Sequence, residues 1–325
     1  MSEVAELRLR MYITLFLVIA VAFAILVVLL GALGVSFLGI AVFAVLFFIM
    51  QWYVSPALLS HISHLKYVTK EEQPKLYNMV YVLASQAKVP MPRIAISPSK
   101  EPNAFVFGRS RKSATLVVHQ GLLSMVTDDE LYAVLAHEIG HLKHNDVVVM
   151  TFVAFIPMIA YFVAISSLFG GIGNSRNTGA YAALIGIFAF VAYFLSELLM
   201  LALSRTRELY ADSYSADATK KPGDLASALA KITYSLSNTK PSTSAVARSF
   251  YIADSISAAK DVKGMEQYMK EIKKAFPDLN IERFRMALAH ERTDPFSFFG
   301  SILTTHPPTY KRILMLAKMK EESKK

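Results

Sequence analysis

The feature that most constrains this chain is a long stretch near its N-terminus without a charged side chain. No Asp, Glu, Lys or Arg occurs between Arg10 and Lys66. Within that stretch, residues 11–30 and about 35–53 are each long enough to cross a bilayer core, which takes about 20 apolar residues. A tight Gly-Ala-Leu-Gly turn separates them. A signal peptide is the alternative for the first segment, but its apolar residues continue too far for one.

Two further apolar segments, residues 147–169 and 181–203, lie in the middle of the chain. Apolar residues make up 54% of the sequence and the mean hydropathy is +0.40, which exceeds what an ordinary soluble domain shows. The sequence therefore predicts a mainly α membrane protein with four transmembrane helices.

The distribution of Lys and Arg predicts the orientation, because positive charges favour the cytoplasmic side. The turn after residue 30 has none and the loop 170–180 has only Arg176. The other membrane ends carry Arg8, Arg10, Lys66, Lys70, Lys143, Arg205 and Arg207. Both termini are thus expected in the cytoplasm, and the net charge of +9 suits anionic headgroups. No basic-aromatic motif supports nucleic-acid binding, and the chain has no Cys for disulfides or thiolate metal sites.

The second informative feature is the sequence His137-Glu138-Ile139-Gly140-His141, which lies in an unbroken helical pattern. Helical residues four apart are offset by about 40°, so both imidazoles project from one face. Neutral imidazoles bind zinc well, and Glu138 can reach a metal-bound water. This H-E-x-x-H arrangement is typical of zinc hydrolases. His144, one turn further, is expected at the helix end as a partly protonated imidazole that suits the helix dipole.

A zinc protease needs a third protein ligand, and the candidate is Glu208. Asp212 lies four residues later on the same helical face and can orient a ligand histidine by accepting its free ring N–H. The alternative interpretation of the segment around Glu208 and Asp212 is a solvated helical face.

Between the second and third apolar segments, the pattern predicts a helix over 73–88. Three strands, over 93–97, 104–107 and 114–119, then form a small β-meander, because turn signals separate them. A capping box at Thr127–Glu130 opens the H-E-x-x-H helix.

These patterns divide the chain into four parts. We expect an N-terminal tail with helices 1–2 over 1–54, the first part of a cytoplasmic zincin-like α+β catalytic domain over 55–146, and helices 3–4 over 147–203. The second part of that domain, over 204–325, includes a helical insert and a C-terminal helix.

With these segments located, the chain resembles the HtpX-type membrane zinc metalloproteases, relatives of the endopeptidases that trim prenylated CAAX proteins. The resemblance covers roughly residues 76–237 and 304–312. It rests on Pro102-Asn103-Ala104-Phe105, on residues 130–146 with the H-E-x-x-H motif, on residues 204–212, and on Thr305-His306-Pro307-Pro308. Residues 240–299 depart from the pattern as a longer charged helical insert.

The resemblance implies one zinc ion per chain, bound by His137, His141 and Glu208. Glu138 would take a proton from the attacking water and pass it to the leaving amine. His306 would stabilise the tetrahedral oxyanion, although Thr-His-Pro-Pro is also a helix-start signal.

The resemblance also implies a substrate-binding edge strand that begins with Asn103, Ala104 and Phe105 and accepts an extended polypeptide by main-chain pairing. An ordinary half-buried strand is the alternative for this segment.

The expected function is therefore a multi-pass endopeptidase of the cell membrane for quality control and stress response. It would cleave misfolded or damaged membrane proteins, or unfolded polypeptides, at the cytoplasmic face of the lipid bilayer. The alternatives are a CAAX-type prenyl endopeptidase and a non-catalytic zinc-binding scaffold or transporter. The sequence gives no oligomeric state.

Overall fold

The computed structural model describes residues 63–169, 178–237, 268–277 and 306–322, together with single positions between 46 and 61. The predicted transmembrane segment 11–30 lies outside the described residues. Only isolated positions of the second predicted segment and the part 268–277 of the predicted insert are described.

The chain divides into two compact units. The first comprises Met1–Leu58 and Val148–Ser204, and the second comprises Leu59–Val147 and Arg205–Lys325. The candidate ligands His137, His141 and Glu208 all belong to the second unit.

Four strands form one sheet in the second unit. They are β1 (Lys66–Tyr67), β2 (Arg93–Ser97), β3 (Ala104–Phe107) and β4 (Thr115–His119), in the order β1-β2-β4-β3. β2 pairs with β4 in parallel, whereas β1–β2 and β3–β4 are antiparallel.

The predicted β-meander is wrong, although strands lie at all three predicted positions. β4 lies between β2 and β3, so β2 and β3 are not neighbours. The connection between β2 and β3 contains Pro98 and Pro102 and is too long for the two-residue loops that favour direct hairpins. Every residue of β4 is buried, as expected for a central strand covered on both faces.

Helices cover this sheet and supply most of the core. α1 (Pro74–Ala87) begins with a proline at its first turn and buries Leu76, Val80 and Leu83. The short α2 (Gln120–Leu123) follows β4. α3 (Asp128–Lys143) packs against α1 and against the strand β3.

The capping box predicted for α3 is present. The Thr127 hydroxyl accepts from the backbone N–H of Glu130, and the Glu130 carboxylate accepts from the backbone N–H of Thr127 at 2.7 Å. Glu130 also accepts from Lys231 at 2.7 Å, which ties the start of α3 to a later helix. These contacts therefore fix the N-terminal end of the H-E-x-x-H helix, ahead of His137 and His141.

The remaining helices of the second unit come from the C-terminal part of the chain. α6 (Pro222–Ser237) packs against α3 and α8 (Thr309–Glu322), and α7 (Met269–Ala275) packs against α8. α5 (Thr178–Thr219) is one continuous helix, and its part after Ser204 belongs to this unit.

The first unit contains α4 (Asp146–Phe169), from Val148 onward, and the part of α5 up to Ser204. Four alanines, one pair from each helix, form a buried contact: Ala160, Ala164, Ala189 and Ala192. Small residues of this kind let helices approach closely in a membrane. Large apolar side chains of α5 such as Tyr181 and Leu184 are exposed.

Helices are present where the third and fourth transmembrane segments were predicted. Among the described residues, one helix, Ala183–Thr219, has the length and hydropathy needed to cross a membrane. The number of four spans stays a prediction.

Candidate metal centre

Two helices of the second unit supply the candidate ligands. α3 presents His137 and His141 from one face, and α5 presents Glu208. The Ser215 hydroxyl on α5 donates a buried hydrogen bond of 2.7 Å to the backbone oxygen of Ala133 on α3. This bond fixes the two helices against each other, one helical turn from His137 on α3 and two turns from Glu208 on α5.

Gly140, inside the H-E-x-x-H motif, permits a close approach of α3 to α5. A Cβ at this position would lie 3.0 Å from Tyr214 Cδ1 and 3.4 Å from the Cα of Ala211. Glycine inside a helix costs about 1 kcal/mol relative to alanine. The close contact with α5 leaves little room for a larger side chain, which explains why glycine occupies this position despite that cost.

The candidate ligand atoms lie close enough together to share one metal ion. The Nε2 atoms of His137 and His141 are 3.2 Å apart. Each faces a different oxygen of Glu208: His137 Nε2 lies 3.5 Å from Oε2, and His141 Nε2 lies 3.4 Å from Oε1. Ligands about 2.05 Å from a tetrahedral zinc are separated by about 3.3 Å. All three ligand atoms lie within 4.8 Å of one another. Two imidazoles and one carboxylate at these separations fit a zinc ion.

A buried carboxylate and a buried arginine support His137. Nδ1 of His137 lies 2.9 Å from Asp212 Oδ1. Arg312, on α8, donates to both oxygens of Asp212, from Nε at 2.7 Å and from Nη2 at 2.6 Å. Asp212 and Arg312 are each 0% exposed. Asp212 thus occupies the position beside a ligand histidine that the sequence predicts, and we call these three residues the His137 cluster.

A second carboxylate and arginine support His141. Nδ1 of His141 lies 2.6 Å from Asp146 Oδ2. The other oxygen of Asp146 forms an ion pair with Nη2 of Arg207, and both side chains are buried. We call His141, Asp146 and Arg207 the His141 cluster. In each cluster a carboxylate lies beside Nδ1, and the Nε2 atoms of the two histidines face each other at the common centre.

The protonation of these groups follows from their neighbours. Burial lowers the pKa of His141, but its hydrogen bonds to Asp146 and Glu208 outweigh burial and hold the pKa well above its ordinary value. Burial raises the pKa of Glu208, but the charge of His306 and the hydrogen bonds of the ligand histidines hold it well below its ordinary value. A metal would displace protons from the imidazoles and meet an ionised carboxylate.

Glu138 lies beside His137 on the same helix and is 3% exposed. Burial raises the pKa of its carboxyl group, and His137 and His141 oppose that shift. A carboxylate with a raised pKa is suited to accept and release a proton near neutral pH.

His306 lies in the same centre. Its Nδ1 is 3.3 Å from Glu208 Oε2, and the residue is buried. It precedes α8, so the segment that carries Arg312 also carries His306. The two C-terminal residues therefore reach the candidate ligand Glu208 and the supporting Asp212 from one short stretch of chain.

The prediction that His144 is a partly protonated imidazole at the end of α3 is correct for its position and wrong for its charge. His144 does cap the C-terminus of α3, and its ring packs 4.1 Å from the ring of Tyr210, measured between centroids. Burial lowers the pKa of His144 to about 4. The imidazole is therefore neutral at pH 7 and does not place a partial charge on the helix dipole.

The predicted substrate strand lies at one end of the sheet, and β3 packs beside α3. Asn103, Ala104 and Phe105 are all buried, and the backbone N–H of His119 donates to the oxygen of Asn103 at 2.9 Å. Among the strands that the structure describes, β3 has one neighbour, β4.

The sequence did not single out Arg312, Asp146 or Arg207 as site residues. The sequence carries a local signal for Asp146: Asn145 follows His144, the cap of α3, and turns the chain back with a φ of 60°. Asparagine is among the residues that tolerate this conformation. Arg207 is adjacent to the candidate ligand Glu208. Arg312 leaves no comparable signal among the 34 Lys and Arg residues.

Comparison with known proteins places these residues in a family. The sequence model of peptidase family M48 matches residues 70–320 of this chain. The chain is 40% identical to a Protease HtpX homolog of Methanothermobacter thermautotrophicus over 235 residues, which are 71% of this chain and 88% of that protein. It is 33% identical to Protease HtpX homolog 2 of Methanosarcina acetivorans over 315 residues, 96% of this chain and 95% of that protein.

Among solved structures, the crystal structure of S. mikatae Ste24p is similar with a TM-score of 0.49 and 18% identity. The similarity covers 97% of this chain and 67% of that one. The family match and the two relatives confirm the predicted resemblance to HtpX-type metalloproteases.

Proposed function

Since the chain belongs to peptidase family M48 and is a membrane metallopeptidase, we propose that it is a zinc endopeptidase of the H-E-x-x-H plus Glu type. One zinc ion would be held by His137, His141 and Glu208. The observation that carries this proposal is that one ligand atom from each of these three residues lies within 4.8 Å of the other two, with Glu138 on the helix between the two histidines.

Each residue of the centre has a distinct part in peptide hydrolysis. When bound, zinc supplies Lewis acidity, which polarises a carbonyl group and lowers the pKa of a water molecule. Glu138 accepts a proton from the attacking water and returns it to the leaving amine, which its raised pKa favours. Asp212 and Asp146 hold the ligand imidazoles in the tautomer whose Nε2 faces the metal.

His306 completes the proposed catalytic set. Its contact with Glu208 keeps an imidazole beside the ligands, where it can donate a hydrogen bond to the oxyanion that develops on the scissile carbonyl. A donor held in place before the reaction needs no reorganisation as charge develops.

The edge position of β3 supports an extended polypeptide substrate. A strand with one neighbour can pair with a substrate through main-chain groups, which recognises backbone rather than sequence. We propose that Asn103, Ala104 and Phe105 begin this pairing site, and that misfolded or damaged membrane proteins and unfolded polypeptides are the substrates. The Lys and Arg distribution supports a multi-pass protein of the cell membrane with the site and both termini in the cytoplasm.

The test is cleavage of an unfolded soluble protein by membrane vesicles that contain the wild type or Glu138→Gln, with zinc measured in the purified proteins. We expect Glu138→Gln to retain zinc and to lose about 10²- to 10⁴-fold in kcat, because a general base is removed and the ligands are kept. Cleavage is expected in inside-out vesicles and not in sealed right-side-out vesicles. The exposed Glu71 provides the matched control, Glu71→Gln.

Two results would contradict the proposal. If wild type and Glu138→Gln both bind zinc and cleave at equal rates, Glu138 is not the base. If both bind zinc and neither cleaves any unfolded or membrane substrate, the chain is a zinc-binding scaffold or transporter. Cleavage confined to right-side-out vesicles would reverse the orientation alone.

A further inference from the structure

The turn between α3 and α4 brings a carboxylate back to a metal ligand. α3 ends at Lys143, Asn145 has a φ of 60°, and Asp146 begins α4. This reversal within a few residues places Asp146 Oδ2 2.6 Å from Nδ1 of His141. The contact is shorter than an ordinary neutral N–H···O hydrogen bond, as expected when the acceptor is an ionised carboxylate.

Arg207 links this carboxylate to the other helix of the site. Arg207 is 3% exposed, and its guanidinium pairs through Nη2 with Asp146 Oδ1. Arg207 directly precedes Glu208 on α5. The connection therefore runs from His141 on α3, through Asp146 at the turn, to the backbone of α5 beside the third ligand.

The packing explains why both charges are needed. A buried carboxylate without a partner is costly, as is a buried guanidinium. Asp146 has two oxygens, of which one accepts from His141 and the other pairs with Arg207. If Arg207 were absent, Asp146 would be free to rotate or to become protonated, and the imidazole would lose a fixed acceptor.

We propose that Asp146 and Arg207 are a positioning pair, which fixes the ring of His141 with Nε2 toward the metal and holds it in register with Glu208. This inference rests on the proposed zinc site. It adds two residues that do not touch the metal but set the affinity and geometry of its binding. Loss of a carboxylate or partner that orients a ligand histidine typically costs 10- to 100-fold in metal affinity or activity.

The variants are Asp146→Asn, which keeps the shape and removes the charge, and Arg207→Lys, which keeps the charge and loses the planar guanidinium. The matched control is Asp217→Asn, also on α5, whose ion pair with Lys220 is solvent-exposed. We would measure the affinity for zinc by competition with a chromogenic chelator, and the visible absorption spectrum of the purified full-length proteins loaded with Co²⁺.

We expect Asp146→Asn to lower zinc affinity by about 10- to 100-fold and to change the Co²⁺ spectrum, since the ligand ring is no longer fixed. Arg207→Lys should give a smaller loss, because a cation remains beside Asp146. The control should match the wild type in both measurements. Wild-type affinity and spectrum in Asp146→Asn would overturn the proposal.

A purely structural role gives a different pattern, which also overturns the proposal. In that case thermal unfolding of the metal-free variants shifts to lower temperature, while the folded protein keeps wild-type zinc affinity and Co²⁺ spectrum. If Asp146→Asn does not fold, Arg207→Lys alone decides between these outcomes. A wild-type protein that binds neither metal would overturn the proposed zinc site itself, which is a separate result.

Discussion

The two candidate ligand histidines are supported by the same chemistry, but the chain builds the two clusters in different ways. In the His137 cluster, both partners come from other helices: the carboxylate Asp212 lies on α5, and Arg312, 100 positions further along the chain, lies on α8. In the His141 cluster, the carboxylate lies five residues from the histidine and is brought back by one turn. The side chain of His137 is 1% exposed, whereas that of His141 is 16% exposed.

The difference shows which part of the site depends on long-range packing. Arg312 pairs with Asp212 through two hydrogen bonds, and its Nη1 also lies 3.5 Å from Glu208 Oε2. Arg207 pairs with one carboxylate, Asp146. The His137 cluster therefore needs α8 to be in place, while the carboxylate of the His141 cluster is supplied locally.

The largest effect is expected from Arg312→Met. The substitution leaves Asp212 buried without its partner and weakens the environment of Glu208. Removing one member of a buried ion pair typically costs about 3–5 kcal/mol of folding free energy. We expect the free energy of unfolding to fall by about that amount. It would be measured by denaturant unfolding of the full-length protein in detergent.

Two variants sharpen this prediction. Lys311→Met, at the exposed neighbouring position of α8, should cost no more than about 0.5 kcal/mol. Arg207→Met should cost less than Arg312→Met, because it removes the guanidinium from one buried carboxylate, Asp146, instead of from two. Equal losses in the two arginine variants would show that the clusters do not differ in the way the contacts indicate.

A smaller effect is expected from Gly140→Ala, which tests the approach of α3 to α5 that both clusters share. The added methyl group would meet Tyr214 Cδ1 at 3.0 Å. The gain in helix propensity offsets part of the crowding, so we expect a net loss of about 1 kcal/mol together with weaker zinc binding.

A double-mutant cycle with Tyr214→Ala separates the two contributions. In the background of Tyr214→Ala the crowding atom is gone, and Gly140→Ala should become neutral or stabilising. If Gly140→Ala remains equally destabilising in that background, the ring of Tyr214 is not the cause.

The smallest effect is a pH dependence at the end of α3, beside the His141 cluster. The pKa of His144 is about 4 in the folded protein and about 6.5 in an unfolded chain. The unfolded state therefore binds a proton first as the pH falls. The stability that neutral His144 contributes is present above about pH 6.5 and is lost as the pH falls toward 4.

The variant His144→Phe keeps an aromatic ring against Tyr210 and removes the titration. We expect the metal-free variant to lose less stability than the wild type between pH 6.5 and 4, and to match its slope above pH 7. Unfolding midpoints measured across this range provide the comparison, and parallel curves would contradict it.

The sequence was sufficient for residues whose relation is set by one helix. The spacing of His137 and His141, and of Glu208 and Asp212, puts each pair on one face, because the helical repeat is fixed by backbone geometry. The structure then brings both faces to one centre. The capping box at Thr127 was predictable for the same reason, since its two hydrogen bonds join residues three apart.

The partners of those residues could not be obtained in this way. Arg312 is one cation among many, and only the packing of α8 shows that it is buried against Asp212. The strand order was missed for a similar reason. Turn signals show where the chain reverses, but the pairing of β2 with β4 depends on which buried faces meet in the core.

The sequence by itself determined the apolar segments, the two helices that carry the candidate ligands, and the residue types at the candidate centre. These follow from local periodicity and from the chemistry of individual side chains. The tertiary structure alone decided the two arginine–carboxylate clusters, the order of the sheet, and the neutral state of His144. Each of these depends on contacts and burial between segments that are distant in the chain or turned back on each other.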